Sequence, residues 1–197
     1  GGHSWGAFGL ANPHHALGDA ISKFVEKADE YTSKGPKTSY NVGVINGGTS
    51  INSIPYESSM LIDIRSVRPE NLDDMELILK KTSEDALAKQ NAMKRIGPNL
   101  ELVINKIGNR PSGKVDVKNH LVQRAIAATN YMGGKPKLTI GSTDSNVPIA
   151  LGVPAITIGR GGDGGKNHSL DEWWLNKDGY KAIHLALLVL LAETGYK

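Results

Sequence analysis

The apolar residues of this chain change period along its length, and that change limits the folds open to it. Leu17, Ala20, Ile21, Phe24, Val25, Ala28 and Tyr31 recur at helical spacing. Asn12-Pro13 precedes this run and Gly35-Pro36 stops it, which predicts one amphipathic helix. The period then drops to two. Tyr40 to Ile45 is β-rich with Val42 and Val44 alternating, and a turn follows at Asn46-Gly47-Gly48-Thr49. Met60, Ile62 and Ile64 share one strand face, with Leu61, Asp63 and Arg65 on the other. Pro69 opens a long charged helix with Leu72, Met75, Ile78, Leu79, Thr82 and Ala86 inward, ended by Gly97-Pro98. Leu100, Leu102 and Ile104 alternate again, as a further strand. The order helix–strand–strand–helix–strand is a split βαβ, ferredoxin-like two-layer sandwich without its first strand.

Arg110-Pro111-Ser112-Gly113 reads as a domain boundary, dividing the chain into residues 1–110 and 111–197. Beyond it, Asn119 to Met132 is an amphipathic helix ended by Gly133-Gly134. Lys137 to Ile140 reads as a short strand and Pro154 to Ile158 as a strand buried on both faces, with a short helix between them. Asp178 is placed to cap a last, largely apolar helix. Alternating helices and buried strands imply a mainly parallel sheet.

Composition narrows the function classes. With 39% hydrophobic and 22% charged residues the chain can bury a core. The formal charge is +3 and the basic residues are dispersed, so no stripe marks a nucleic-acid surface. The longest apolar run, Ala186 to Ala192, is too short to span a bilayer. Cysteine is absent, which removes disulfides and thiolate ligands; a metal would need His and carboxylates, and a cytoplasmic location fits. Gly1-Gly2-His3-Ser4-Trp5 opens without Met, like the interior of a longer chain.

The most informative stretch runs from Gly159 through Gly161, Gly162 and Gly165 to His168 and Glu172, after a predicted strand. In open α/β sheets ligands bind at carboxyl ends of strands, and glycines let the backbone approach a ligand. His168 is a candidate metal ligand whose other nitrogen an adjacent acid could orient. A surface loop with an exposed His reads equally well, whereas a phosphate-cradling loop would need the missing Lys-Ser/Thr ending. Gly141-Ser142-Thr143-Asp144 lies at another predicted strand end; it could bind a carboxylate, or Thr143 or Asp144 could simply cap the next helix. His3, between glycines and Trp5, could donate to a developing oxyanion or be an ordinary loop residue. Asn52 could be a plain turn residue. Arg65 and Arg110 could hold a carboxylate bidentately or form surface ion pairs. His14, His15, His120 and His184 read as structural or solvated.

These residues, in this order, resemble the zinc metallopeptidases and deacylases that include peptidase T, glutamate carboxypeptidases, acetylornithine deacetylase and succinyl-diaminopimelate desuccinylase. Gly1 to Trp5 with Asn12-Pro13 and Ala16-Leu17 looks like the opening of that family's dimerisation domain. Gly47 to Pro55 looks like its Gly-x-x-x-Asn-x-Ile-Pro turn, and Asp63-Ile64-Arg65 like its Asp-x-Arg strand. Gly141 to Asp144 and Gly165 to Glu172 look like its two C-terminal catalytic segments.

The resemblance implies a dimerisation lid over 1–110 and, over 111–197, the C-terminal part of a phosphorylase/hydrolase-like α/β/α zinc-peptidase domain. It implies that His168 is the last ligand of a two-zinc site. It implies that His3 polarises the scissile carbonyl in the partner subunit's active site, with Asn52 reaching across in the same way. Arg110 would bind a substrate carboxylate, with Gly141, Ser142, Thr143, Gly161 and Gly162 lining the pocket; Arg65 would bind substrate or support the lid strand. The substrate would be a peptide or an N-acyl amino acid, and the protein a homodimer with no nucleic-acid or membrane partner. The family's His-x-Asp motif, bridging Asp and Glu-Glu pair do not occur here, so this chain alone is expected to be inactive. The alternative is a non-catalytic dimerisation or small-carboxylate-binding module.

Overall fold

A computed structural model describes residues 1–195. It divides into two compact units, Gly1–Asn109 and the residues from Arg110 on.

In the first unit the elements run β1 (Gly2–His3), α1 (Pro13–Thr32), β2 (Thr38–Gly47), β3 (Ser53–Ile54), β4 (Ser58–Ser66) and α2 (Pro69–Met93). The Asn12 carboxamide oxygen starts α1 by accepting from the amides of His14 at 2.9 Å and His15 at 3.4 Å, with Pro13 in the first turn. β2 and β4 pair antiparallel from Thr38↔Ser66 to Gly47↔Ser58, with an irregularity between Val42 and Val44. Both helices pack against this hairpin and each other. Phe24, Ala28 and Met75 are 0% exposed, surrounded by Tyr31, Tyr40, Ile62, Ile64, Ile78 and Leu79. The Phe24 and Tyr40 rings meet edge to face at 5.4 Å. The inward sides of the first helix and of β4 are therefore those that the apolar spacing predicts, except that Val25 is exposed.

The last strand of this unit does not form. Leu100, Leu102 and Ile104 belong to no helix or strand, and α2 stops at Met93, short of Gly97-Pro98. At Leu100 the obstacle is Asn91. Its side chain accepts from the Leu100 amide at 2.8 Å and donates to the Leu100 carbonyl at 3.0 Å. A carboxamide thus occupies the backbone groups that a neighbouring strand would use.

The second unit holds α3 (His120–Tyr131), α4 (Asn146–Ala150), β5 (Asp163–Gly165), β6 (Trp173–Leu175) and α5 (Tyr180–Thr194). The Asn119 side chain caps α3 through the Leu121 amide at 3.0 Å. α3 packs on α5, with Val122 and Val189 buried and an Arg124–Glu193 ion pair at 2.8 Å. Three expectations are corrected here. Lys137 to Ile140 and Pro154 to Ile158 form no ladder among the described residues. Ile140 is 84% exposed, and Pro154 and Thr157 are also exposed. A parallel strand is stable only inside a sheet covered on both sides, and no strand pairs with either segment. Asp178 does not cap α5 with its side chain; its carboxylate pairs with Lys181 at 3.0 Å. The glycine-rich segment is a hairpin: β5 and β6 pair antiparallel from Asp163↔Leu175 to Gly165↔Trp173. Among the described residues no helix is long and apolar enough to cross a membrane.

Candidate functional site

His3 and Asn52 come together in the first unit. β1 and β3 form a short antiparallel ladder with His3 opposite Ser53, and the Ser4 amide extends it by donating to the Asn52 carbonyl at 2.8 Å. The His3 ring is exposed and its Nδ1 accepts the amides of Trp5 at 3.3 Å and Gly6 at 3.4 Å. A neutral imidazole that accepts at Nδ1 carries its proton on Nε2, which is then the donor. That is the form needed to stabilise a developing oxyanion. Asn52 is set by its own turn, where Ser50 Oγ donates to its Oδ1 and the Ser53 amide returns to the Ser50 carbonyl at 3.2 Å. Below this turn, His14 Nδ1 bonds Ser58 Oγ at 2.7 Å, which gives that histidine a structural place.

Arg65 is elsewhere. It stands on the exposed side of β4 and its Nε donates to Asp63 Oδ2 at 2.6 Å. The Asp-x-Arg pair therefore satisfies itself on one strand face.

In the second unit, Arg110 meets the segment from Gly141 to Asp144. Its Nη1 donates to Ser142 Oγ at 3.3 Å and its Nη2 lies 3.8 Å from Asp144 Oδ1. Neither Thr143 nor Asp144 caps α4 as the sequence suggested: the residue before the helix is Ser145, which makes no side-chain cap bond. The Thr143 hydroxyl instead accepts the Ser145 amide at 3.3 Å in the turn before the helix, and Asn146 Oδ1 accepts the Thr143 amide at 3.0 Å. Thr157 adds a hydroxyl bridge, to Thr143 Oγ1 at 2.7 Å and Ser145 Oγ at 2.8 Å. A guanidinium beside several hydroxyls suits a carboxylate. Sequence reasoning singled out Arg110, Ser142 and Thr143 but not Asn146 or Thr157. No pattern in the sequence marks either of them.

The hairpin presents His168 in its connecting loop. Gly161 and Gly162 have φ of +74° and +72°. A Cβ on Gly162 would fall 2.5 Å from the Leu175 carbonyl oxygen, so only glycine fits there. Trp174 Nε1 donates to the Gly161 carbonyl at 3.1 Å, closing the base of the hairpin. His168 has φ +62°, a left-handed conformation uncommon outside glycine. Its amide donates to Glu172 Oε2 at 3.0 Å, while Asp171 pairs with Lys166 at 3.0 Å. Glu172 thus fixes the backbone of His168 rather than orienting its ring, and the imidazole is left exposed.

Among the described residues no three His, Asp or Glu side chains converge as a metal-binding group. One imidazole does not fit a zinc ion, which takes four ligands in structural sites and three protein ligands in catalytic ones.

Residues 1–91 match the peptidase dimerisation domain family. The fold is similar to that of aminopeptidase PepT from Bacillus cereus, with a TM-score of 0.65 and 19% identity over 93% of this chain. It is also similar to a tripeptidase from Staphylococcus aureus, with a TM-score of 0.68 and 17% identity over 95% of this chain. The chain spans 46% of the length of each of these structures. No curated protein matches.

Proposed function

We propose that the chain, whose residues 1–91 match the peptidase dimerisation domain family, works as the lid and closing segment of a peptidase. The reaction would be hydrolysis of a peptide or N-acyl amino-acid amide bond by a zinc-dependent enzyme. His168 would be one ligand, with the other ligands and the general base on polypeptide outside this 197-residue sequence. Alone, the chain would then hold no zinc centre and turn over no substrate.

The observation that carries this reading is the pairing of β1 with β3. That pairing sets the backbone of His3 opposite Ser53, beside the Asn52 turn, and the His3 ring is exposed. A donor imidazole on a lid serves a hydrolase by stabilising negative charge on the scissile carbonyl oxygen. A two-fold dimer made through the lid would let one protomer supply that donor to its partner's site. Lid closure would then complete the site only around bound substrate. At the other end of the substrate, Arg110 with Ser142 and Thr143 would hold a carboxylate, with Gly141, Gly161 and Gly162 allowing close backbone approach.

The test is metal content and turnover of the complete protein that contains this chain. Tightly bound zinc and hydrolysis of a tripeptide or an N-acetyl amino acid are expected, with neither in the isolated chain. A complete protein that is metal-free and inactive on both substrates leaves a dimerisation or carboxylate-binding module instead.

A further inference from the structure

We infer that Asn146 is a positioning residue that holds the Ser142–Thr143 segment against Arg110 and so sets the carboxylate anchor. The inference rests on the reading of Arg110 as that anchor. Closing the turn before α4 would by itself use one face of the Asn146 side chain; here both are used. Oδ1 accepts the Thr143 amide at 3.0 Å, and Nδ2 donates to the Pro111 carbonyl at 2.9 Å. The second bond leaves α4 and reaches the residue directly after Arg110. The Asn146 amide also returns to the Thr143 carbonyl at 3.1 Å, so the side chain sits on a rigid turn.

The arm that carries Arg110 needs such a tie. Residues from Lys94 through Val115 are in neither helix nor strand, and the guanidinium is about half exposed. Its own bonds are weak: one at 3.3 Å to Ser142 and an ion pair at 3.8 Å to a fully exposed Asp144. The tie at Pro111 is supported by packing at Gly113, where a Cβ would meet Ile149 Cγ2 of α4. Asn146 and Ile149, one turn apart on α4, therefore grip the arm at two points. Binding groups held by a rigid partner lose less entropy when ligand arrives, and a small displacement of a positioned cation costs affinity steeply.

Two substitutions separate this role from closing that turn. Asn146→Ala removes both bonds. Asn146→Asp keeps the oxygen that accepts from Thr143 and removes the donor to Pro111. The readout is the nitrogen-15 order parameter of the Arg110 Nε–H bond in the full 197-residue chain, with the α3 and α5 amide shifts reporting that the unit stays folded. Both variants are expected to drop Arg110 from the ordered range to below about 0.6. An unchanged order parameter in Asn146→Ala overturns the inference, and so does loosening in Asn146→Ala but not in Asn146→Asp, which is turn closure alone. Triglycine and its C-terminal amide then probe the anchor by chemical-shift titration. Asn146→Ala is expected to weaken triglycine binding about tenfold, with no further loss when added to Arg110→Ala. Equal binding of acid and amide by the unsubstituted chain would remove the carboxylate reading of Arg110, while the order parameters still decide the role of Asn146.

Discussion

The amide of Ser4 donates to the carbonyl of Asn52 at 2.8 Å, which locks the residue after His3 to the turn that presents Asn52. Two backbone segments about fifty positions apart are thereby joined. In a complete protein that works as proposed, His3→Ala is expected to lower kcat by about 10²–10³ with a smaller change in KM, the signature of a lost oxyanion donor. Asn52→Ala is expected to cost less, and the double variant less than the two together, because residues acting at one site couple. Steady-state kinetics on a tripeptide checks all three. If the donor acts across a dimer, mixing His3→Ala subunits with subunits lacking a working metal site restores part of the activity.

Gly162→Ala tests whether the hairpin is needed as built. The substitution puts a Cβ into the left-handed region at φ +72°, against the Leu175 carbonyl and the Trp174 indole nitrogen. Left-handed backbone alone costs an alanine roughly 1–2 kcal/mol, and the clash adds to it. The expected result is loss of the Gly164↔Trp174 pairing, read as a shift of Trp174 fluorescence. If His168 is a zinc ligand as proposed, the complete protein would also bind metal more weakly, since the hairpin carries that residue.

How far the sequence discloses this arrangement depends on what each residue competes with. Phe24, Met75, Ile62 and Ile64 were legible as core because apolar spacing on a helix or strand leaves one buried side, and they occupy it. The same logic misplaces Leu100, where the Asn91 side chain takes both backbone groups. It misplaces Pro154 to Ile158 as well, because a run with the composition of a buried parallel strand forms no ladder without a neighbour. At the candidate site, residue types such as His3, Arg110 and His168 were legible by their chemistry. Their supports, Asn146 and Thr157, were not, since a side chain that bonds distant backbone or a distant hydroxyl leaves no local pattern.

Asp144 faces the same guanidinium that a substrate carboxylate would occupy, at 3.8 Å from Arg110 Nη2. It is a built-in competitor, though a weak one, because an exposed pair at that distance is worth under about 1 kcal/mol. Asp144→Asn removes the competing charge and keeps a side chain of similar size. Triglycine binding is expected to tighten by about two- to fivefold at low salt, within that limit, and the gain to shrink as added salt screens the pair. A titration at two salt concentrations checks it; weaker binding in the variant would show that Asp144 helps to hold the anchor.

Acid sensitivity of the first unit should trace in part to one carboxylate. Asp19 on α1 accepts from Lys89 of α2 at 3.0 Å and pairs with Lys23 at 3.0 Å. The Lys89 hydrogen bond, then the one from Lys23, holds its carboxyl below the ordinary carboxylate range against a smaller opposing effect of burial. Because the folded value lies below the unfolded one, the unfolded chain takes up the proton first. The stabilisation is fully present above the unfolded value of about 3.9 and is lost as pH falls through the folded one. Asp19→Asn should therefore be less stable than the unsubstituted chain at pH 7, and the two should converge in acid below both values. Urea midpoints at neutral and acid pH measure the gap. A gap that stays constant with pH would mean that Asp19 acts through packing of α1 on α2 and not through its charge.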